Sequence, residues 1–270
     1  MYSFPITERR YFMARLTPDS SYKIENLTVN VKKIPFGTRW KKDCCGFKKG
    51  DLYKADRLMT NGSGRILGIT IHNTGDSADA ETYTRATFNQ NMNTSRVHFY
   101  VDNKEAWQNL EENEVGWHAG TGDKSPGNDS YIAIEIIMGS ESSQKDTLAE
   151  QNGAILAAHL LLKHGLTVEN IVTHKHWSGK NCPIYILPHW DKFIALVEKY
   201  YNQLSKGNTA QAFDNTADEY ALPSVYKAVR NGILLGTPEG DLRLHSPITR
   251  QELCVILDRL GLLDTIPGKQ

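Results

Sequence analysis

Between Val172 and Pro183 the chain reads VTHKHWSGKNCP, with two histidines, a lysine and a cysteine inside a dozen residues. Imidazole nitrogen and thiolate sulfur are zinc ligands, and a catalytic zinc keeps three protein ligands and one open tetrahedral position. His174 ends the short apolar run NIVTH, and Cys182 follows eight residues later across a loop containing Gly179. Far upstream, His72 ends the apolar alternation ILGITIHNT and is followed by Asn73 and Thr74. Two histidines at strand ends and one loop cysteine supply three ligands and leave the fourth place to water. The competing reading is an ordinary polar surface loop over a buried thiol.

These side chains need a scaffold. ILGITIHNT (66–74), VHFYVD (97–102) and YIAIEIIMG (131–139) read as strands, the last apolar enough to be buried on both faces with Glu135 embedded in it. NIVTH (170–174) is a further short strand. A helix is predicted over roughly 147–164: Thr147 and Glu150 form a capping box, Leu148, Ile155, Ala158 and Leu162 share a stripe, and Gly165 stops it. A closing helix runs from about His189 to Leu204. Strands mixed with helices argue an α/β or α+β domain, 66–204, around one central sheet.

Residues 1–65 read as an extended lead-in packed on that domain, with short apolar runs such as LTVNV between basic, glycine-containing loops. SKGNTAQ (205–211) is a linker, and 212–270 form a small helical hairpin. Its first helix, SVYKAVRNGIL, ends near Gly232. Its second, ITRQELCVILDRLGLL, starts with Thr249 and Glu252 as a capping box and Ile248 and Leu253 placed for a hydrophobic staple. Two helices in about 50 residues are marginal for independent folding, so the unit needs a neighbour.

Composition narrows the function classes. Lys plus Arg and Asp plus Glu balance at 31 each among 270 residues, which gives no reason to expect nucleic acid. No apolar run approaches the ~18–20 residues of a membrane span. Arg9 and Arg10 stand where a secretion signal would need its apolar stretch, so no classical signal is expected at this amino terminus. Four cysteines are too few for a disulfide framework. Cys44 and Cys45 are expected to be a reduced pair, because a vicinal disulfide strains the peptide between them. Cys254 reads as a small core hydrophobe.

Taken in order, ITIHNT, VHFYVD, VGWHAGTGD, YIAIEI and THKHWSGKNCP resemble the motifs of zinc-dependent N-acetylmuramoyl-L-alanine amidases of the phage-endolysin and bacterial-autolysin type, over about residues 66–200. The resemblance implies an α/β fold with a central mixed sheet flanked by helices, and Zn2+ held by His72, His174 and Cys182. His176 is then a bystander, six residues before the cysteine where the family's ligand lies eight before.

The implied chemistry is amide hydrolysis, in which zinc lowers the pKa of water to ~7 and polarises the scissile carbonyl. A general base must take the water's proton and later deliver one to the leaving amine. The family's pattern puts that base at Glu135, where burial would raise the carboxyl toward neutrality. The alternative for Glu135 is an ion-paired core residue, with His98 or His118 next in line as base. Lys180 would place an ammonium near the oxyanion, or be a solvated loop lysine. Some relatives carry a catalytic tyrosine where this chain has Val97, so no tyrosine-assisted variant is expected. Asn73, Trp117 and His118 are assigned to the substrate groove; core packing is the alternative for Trp117.

The tail, with EGDLRLHSPITRQE, resembles a single S-layer homology repeat, implying a secondary cell-wall polymer as partner of 212–262. Padding of the catalytic domain, or homo-oligomerisation, is the alternative. The whole is read as a hydrolase of bacterial peptidoglycan that cuts between N-acetylmuramic acid and the L-alanine of the stem peptide. It is expected to be a phage endolysin held in the host cytoplasm before release to the wall, or else a secreted autolysin, and to engage neither nucleic acid nor membrane. A non-catalytic peptidoglycan-recognition protein on the same fold is the rival, although such binders typically lack the cysteine ligand. A cytosolic recycling amidase, which usually carries aspartate there, is a second.

Overall fold

Gly68–Asn73 is buried at every position and Tyr131–Ile136 at most of them. A strand with no solvated face belongs in the middle of a sheet covered on both sides. The computed structural model, which describes residues 14–54, 57–91, 95–120, 122, 124–140, 143–207, 217–237 and 241–263, places both runs there. Seven strands form one sheet: β1 (Ser20–Ile24), β2 (Leu27–Val31), β3 (Gly68–Asn73), β4 (Phe99–Val101), β5 (Glu105–Gln108), β6 (Tyr131–Ile136) and β7 (Ile171–Thr173). Their order is β1-β2-β5-β4-β6-β3-β7. β4, β6, β3 and β7 run parallel, and β1–β2 and β4–β5 pair antiparallel, so the sheet is mixed. The helices are α1 (Met59–Gly62), α2 (Ala80–Phe88), α3 (Pro126–Ser130), α4 (Gln144–Lys163), α5 (His174–Ser178), α6 (Trp190–Gly207), α7 (Leu222–Arg230) and α8 (Arg250–Arg259). None of the described helices is long and apolar enough to cross a membrane.

The period-two alternation of the strands divides the sheet into two faces with different duties. Ile69, Ile71, Phe99, Val101, Ile132, Ile134 and Ile136 share one apolar cluster with α4 and α6. The opposite positions, Thr70, His72, Tyr100, Ala133 and Glu135, carry nearly all the polar side chains of the central strands. Gly153 lets α4 approach β6: a Cβ there would lie 2.4 Å from Cδ1 of Ile136.

Several elements differ from expectation. α4 begins at Gln144, capped by the Ser143 hydroxyl accepting from the Asp146 amide, because Asp146 in turn gathers Ser140, Ser143 and the Gly139 amide into that end. Thr147 sits inside the first turn and donates back to the Ser143 carbonyl. Leu148 is 41% exposed, since the buried side of α4 is Gly153–Ala158 with Leu160 and Leu161, wedged between sheet and α6. Gly165 follows the helix at φ 63° as expected. The amino-terminal lead-in contributes β1 and β2 to the sheet itself, β2 running parallel to β5.

Residues 34–53 build a small aromatic core of their own around Trp40, Phe47 and Tyr53. Cys44 and Cys45, expected reduced, are joined as a vicinal disulfide. They lie in a two-residue hairpin turn in which Cys44 and Phe47 exchange both backbone hydrogen bonds and Cys45 and Gly46 both have positive φ. A buried polar cluster ties this core to the domain. The Tyr53 hydroxyl donates to Glu114 at 2.6 Å, while Arg96 donates to Glu114 at 2.5 Å and to the Val115 carbonyl at 2.7 Å. Arg96 and Glu114 are 0% and 1% exposed. Removing one member leaves a buried charge uncompensated, so Glu114→Ala should lower stability in urea by about 3–5 kcal/mol. Asp43→Ala, which breaks an exposed pair with Lys48, should leave the same titration nearly unchanged.

In the tail, α7 is followed by Gly232 at φ 68°, and α8 carries the expected Thr249–Glu252 capping box. Cys254 is exposed rather than a core residue, and so are Ile248, Leu253, Val255, Leu260 and Leu262, whereas Ile256 and Leu257 are half-buried: much of the apolar surface on and beside α8 lies open to solvent. Of the expected linker, Ser205–Gly207 belong to α6, and 208–211 lie outside the described residues.

Candidate metal centre and active site

Parallel register puts four side chains in a row at the carboxyl ends of the central strands, where open α/β sheets hold their ligands. His72 on β3 is the register partner of Glu135 on β6, and Tyr100 on β4 is the partner of Glu135 on its other side. Thr173 on β7 pairs with Ile71, so His174, one residue on, comes level with His72. Thr173 also caps α5 by accepting from the His176 amide. Gly179, at φ 73°, ends α5 and turns the chain back. The Lys175 amide then donates to the Cys182 carbonyl, closing a loop that returns the thiol to the histidines.

His72 Nδ1 lies 3.1 Å from His174 Nδ1 and 3.9 Å from Cys182 Sγ, and all three donor atoms fall within 4.8 Å of one another. Tetrahedral zinc, with bonds of about 2.0 Å to nitrogen and 2.3 Å to sulfur, needs nitrogens about 3.3 Å apart and nitrogen and sulfur about 3.6 Å apart. The donor set fits. Burial pushes both imidazoles toward the neutral form a ligand needs, His72 well below its ordinary range and His174 to about 4. Burial also lifts the Cys182 thiol to about 11, so loading a cation there must release a proton.

Glu135 Oε1 is 4.0 Å from His72 Nδ1, and the buried Oε2 has no hydrogen-bond partner. Burial pushes this carboxyl up to about 8, with Asp76 adding to the rise and Lys180 opposing it. Lys180 itself is exposed on the loop before Cys182. A half-buried carboxylate with one buried, unbonded oxygen, beside a three-donor cluster, is suited to accept a proton near neutral pH.

The other expected site residues are placed differently. The Asn73 amide is spent on structure, donating to the Ile136 carbonyl and accepting from the Tyr185 amide, which ties the segment after Cys182 to the sheet. Trp117 is half-buried against the Cys44–Phe47 turn, the packing alternative. His118 is buried with its ring against His72, and His98 is buried with both nitrogens bonded to backbone. His176 is exposed, edge-on to Trp177, and outside the donor group. No motif in the sequence singles out Tyr100, Tyr83 and Asp76. Tyr83 stacks on Tyr100 and donates to the Asp76 carboxylate, so a phenol pair flanks Glu135 although position 97 has none. The polar alternation of His98, Tyr100 and Asp102 within VHFYVD was the available signal.

The Amidase_2 family profile, described as N-acetylmuramoyl-L-alanine amidase, matches residues 62–185. The chain is 42% identical over 132 residues to the N-acetylmuramoyl-L-alanine amidase XlyA of Bacillus subtilis (strain 168), covering 48% of this chain and 43% of that one. It is 36% identical over 158 residues to CwlH of the same organism, covering 58% and 59%. The chain thus spans about half the length of these curated relatives. Among solved structures, a mutant endolysin from Bacillus subtilis superposes with a TM-score of 0.51 at 34% identity, covering 63% of this chain and 99% of that one. PlyL gives 0.51 at 28%, covering 63% and 96%. On motif order, fold and similarity together, the chain belongs to the Amidase_2 family of N-acetylmuramoyl-L-alanine amidases.

Proposed function

We propose that the protein is a zinc-dependent hydrolase of bacterial peptidoglycan, cutting the amide between the lactyl group of N-acetylmuramic acid and the L-alanine of the stem peptide. The observation that carries this reading is Glu135, a half-buried carboxylate whose buried Oε2 is unbonded, one strand away from the donors His72, His174 and Cys182. When bound there, zinc supplies Lewis acidity that acidifies water and polarises a carbonyl. Glu135 takes the proton from the attacking water and hands it to the leaving amine. Lys180, on the loop that ends in Cys182, brings an ammonium toward the oxyanion. Cys182 distinguishes the chain from the recognition-protein reading, since a binder has no need of a thiolate ligand. Likeness to solved endolysins supports an endolysin that reaches the wall from the host cytoplasm.

Digestion of purified peptidoglycan by the zinc-loaded chain tests the reading. Mass spectrometry should find stem peptides with a new L-alanine amino terminus and glycan strands with free lactyl carboxylates. New reducing sugar ends or cuts inside the peptide would replace the proposed bond, and binding without products would favour the recognition protein.

The tail is assigned to the wall polymer. Its open apolar stripe and small size also support association of two or three copies through α7 and α8. Deleting 206–270 should leave hydrolysis of soluble muropeptides unchanged and reduce activity on intact walls, where tethering raises effective concentration. Light scattering should show an oligomer for the full chain and a monomer for 1–205. A monomeric full chain with undiminished wall activity after truncation would reduce the tail to padding.

A further inference from the structure

His118 lies on the side of His72 away from the donor cluster. Its Nδ1 is 3.1 Å from Nε2 of His72, and its Nε2 is 3.2 Å from the Tyr131 carbonyl oxygen. A carbonyl can only accept, so Nε2 of His118 carries a proton. In the neutral ring Nδ1 is then a lone pair and must accept from Nε2–H of His72. That hydrogen bond decides the tautomer of His72: the proton sits on Nε2, and the lone pair sits on Nδ1, the atom that faces His174 and Cys182. The opposite arrangement would drive a proton into the donor cluster.

The ring of His118 is held in place from several directions. The amides of His118 and Ala119 both donate to Oδ1 of Asn128, at 2.6 and 2.7 Å. Gly116 leaves room for the ring, since a Cβ there would lie 2.7 Å from its Cδ2 and 3.1 Å from Cε1 of His98. The rings of His118 and His72 meet edge to face, 5.2 Å apart at 89°. His98 does not compete for His72, because its Nδ1 accepts from the Ala133 amide and its Nε2 donates to the Glu114 carbonyl.

We propose that His118 is a positioning residue: it accepts the Nε2 proton of His72 and thereby keeps the Nδ1 lone pair of His72 aimed at the metal. This rests on the zinc reading above and replaces the substrate-groove role expected of His118.

The test compares His118→Asn with His118→Gln in the full chain, reading zinc affinity by competition with a chromogenic chelator. Asparagine sets its side-chain oxygen where Nδ1 stands, and glutamine sets its oxygen near Nε2. Asn should therefore keep near parental affinity, whereas Gln and His118→Leu should weaken it by about 10–100-fold, the usual cost of losing a partner behind a ligand. A merely space-filling role ranks Gln above Asn, because Gln is nearer in size. Melting of the metal-free variants shows whether each is folded at the temperature of the titration. Equal zinc affinity for Asn and Gln, or a better Gln, overturns the proposal. A parental chain that binds no zinc overturns the zinc reading itself, a result distinguishable from the first.

Discussion

Glu135→Gln should hold zinc as tightly as the parent chain and hydrolyse peptidoglycan at least ~10²-fold more slowly, within the 10²–10⁴ that a positioned base contributes. The substitution keeps shape and removes only the ability to take a proton from water. Its neighbours in the register, His72 and Tyr100, are undisturbed by an isosteric amide. The parental activity should fall on the acid side, because the carboxyl must be ionised to act, and a bound cation brings that limb below about 8. The metal-free protein carries a second signature. Between the ordinary value of 4.5 and about 8, the folded chain holds a proton on Glu135 that the unfolded chain releases. Stability therefore declines as pH rises through that window, by up to about 1.4 kcal/mol per pH unit from this one group. Glu135→Gln removes that contribution. Identical stability–pH slopes in urea titrations of the two proteins, or an active Gln enzyme, would move the base elsewhere.

Cys182→Ser should lose zinc altogether at micromolar protein. The change removes a negative charge and a soft ligand from a site with three donors among the described residues, so affinity collapses by orders of magnitude. His174→Ala should do the same, while His176→Ala should keep about one zinc per chain, since His176 faces solvent two residues further along α5. Elemental analysis after gel filtration separates these outcomes. Full occupancy in Cys182→Ser would refute the ligand set, and loss of zinc in His176→Ala with retention in His174→Ala would mean the loop is read in the wrong register.

The donor residues were legible in the sequence for a local reason. His72 and His174 each close an apolar run whose alternation defines a strand, and a short loop with a glycine at the turn ties Cys182 to His174. Period-two and helical patterns depend on near neighbours, so β3, β4, β6, β7 and α6 could be placed within a few residues. The partial burial of Glu135 was legible too, because a lone carboxylate in YIAIEIIMG sits between apolar neighbours on both sides. Where local signals competed, as between Ser143 and Thr147 for the cap of α4, the hydrogen bonds from Gly139 and Ser140 just upstream to the Asp146 carboxylate chose.

What only the tertiary structure decided is which side chains stand level across the sheet. The row from Tyr100 through Glu135 and His72 to His174 depends on pairings between strands far apart in the chain. A slip of one residue in any of them would send its side chain to the opposite face. Nothing in the sequence of one strand records the register of its partner. The same holds for β1 and β2 joining the sheet beside β5, and for Asn73 and His118, whose polar atoms turn toward backbone and ring partners instead of a groove. Residue types and their local spacing determined what chemistry the chain could do. Long-range strand pairing, set by burial over the whole sheet, decided which of those residues meet.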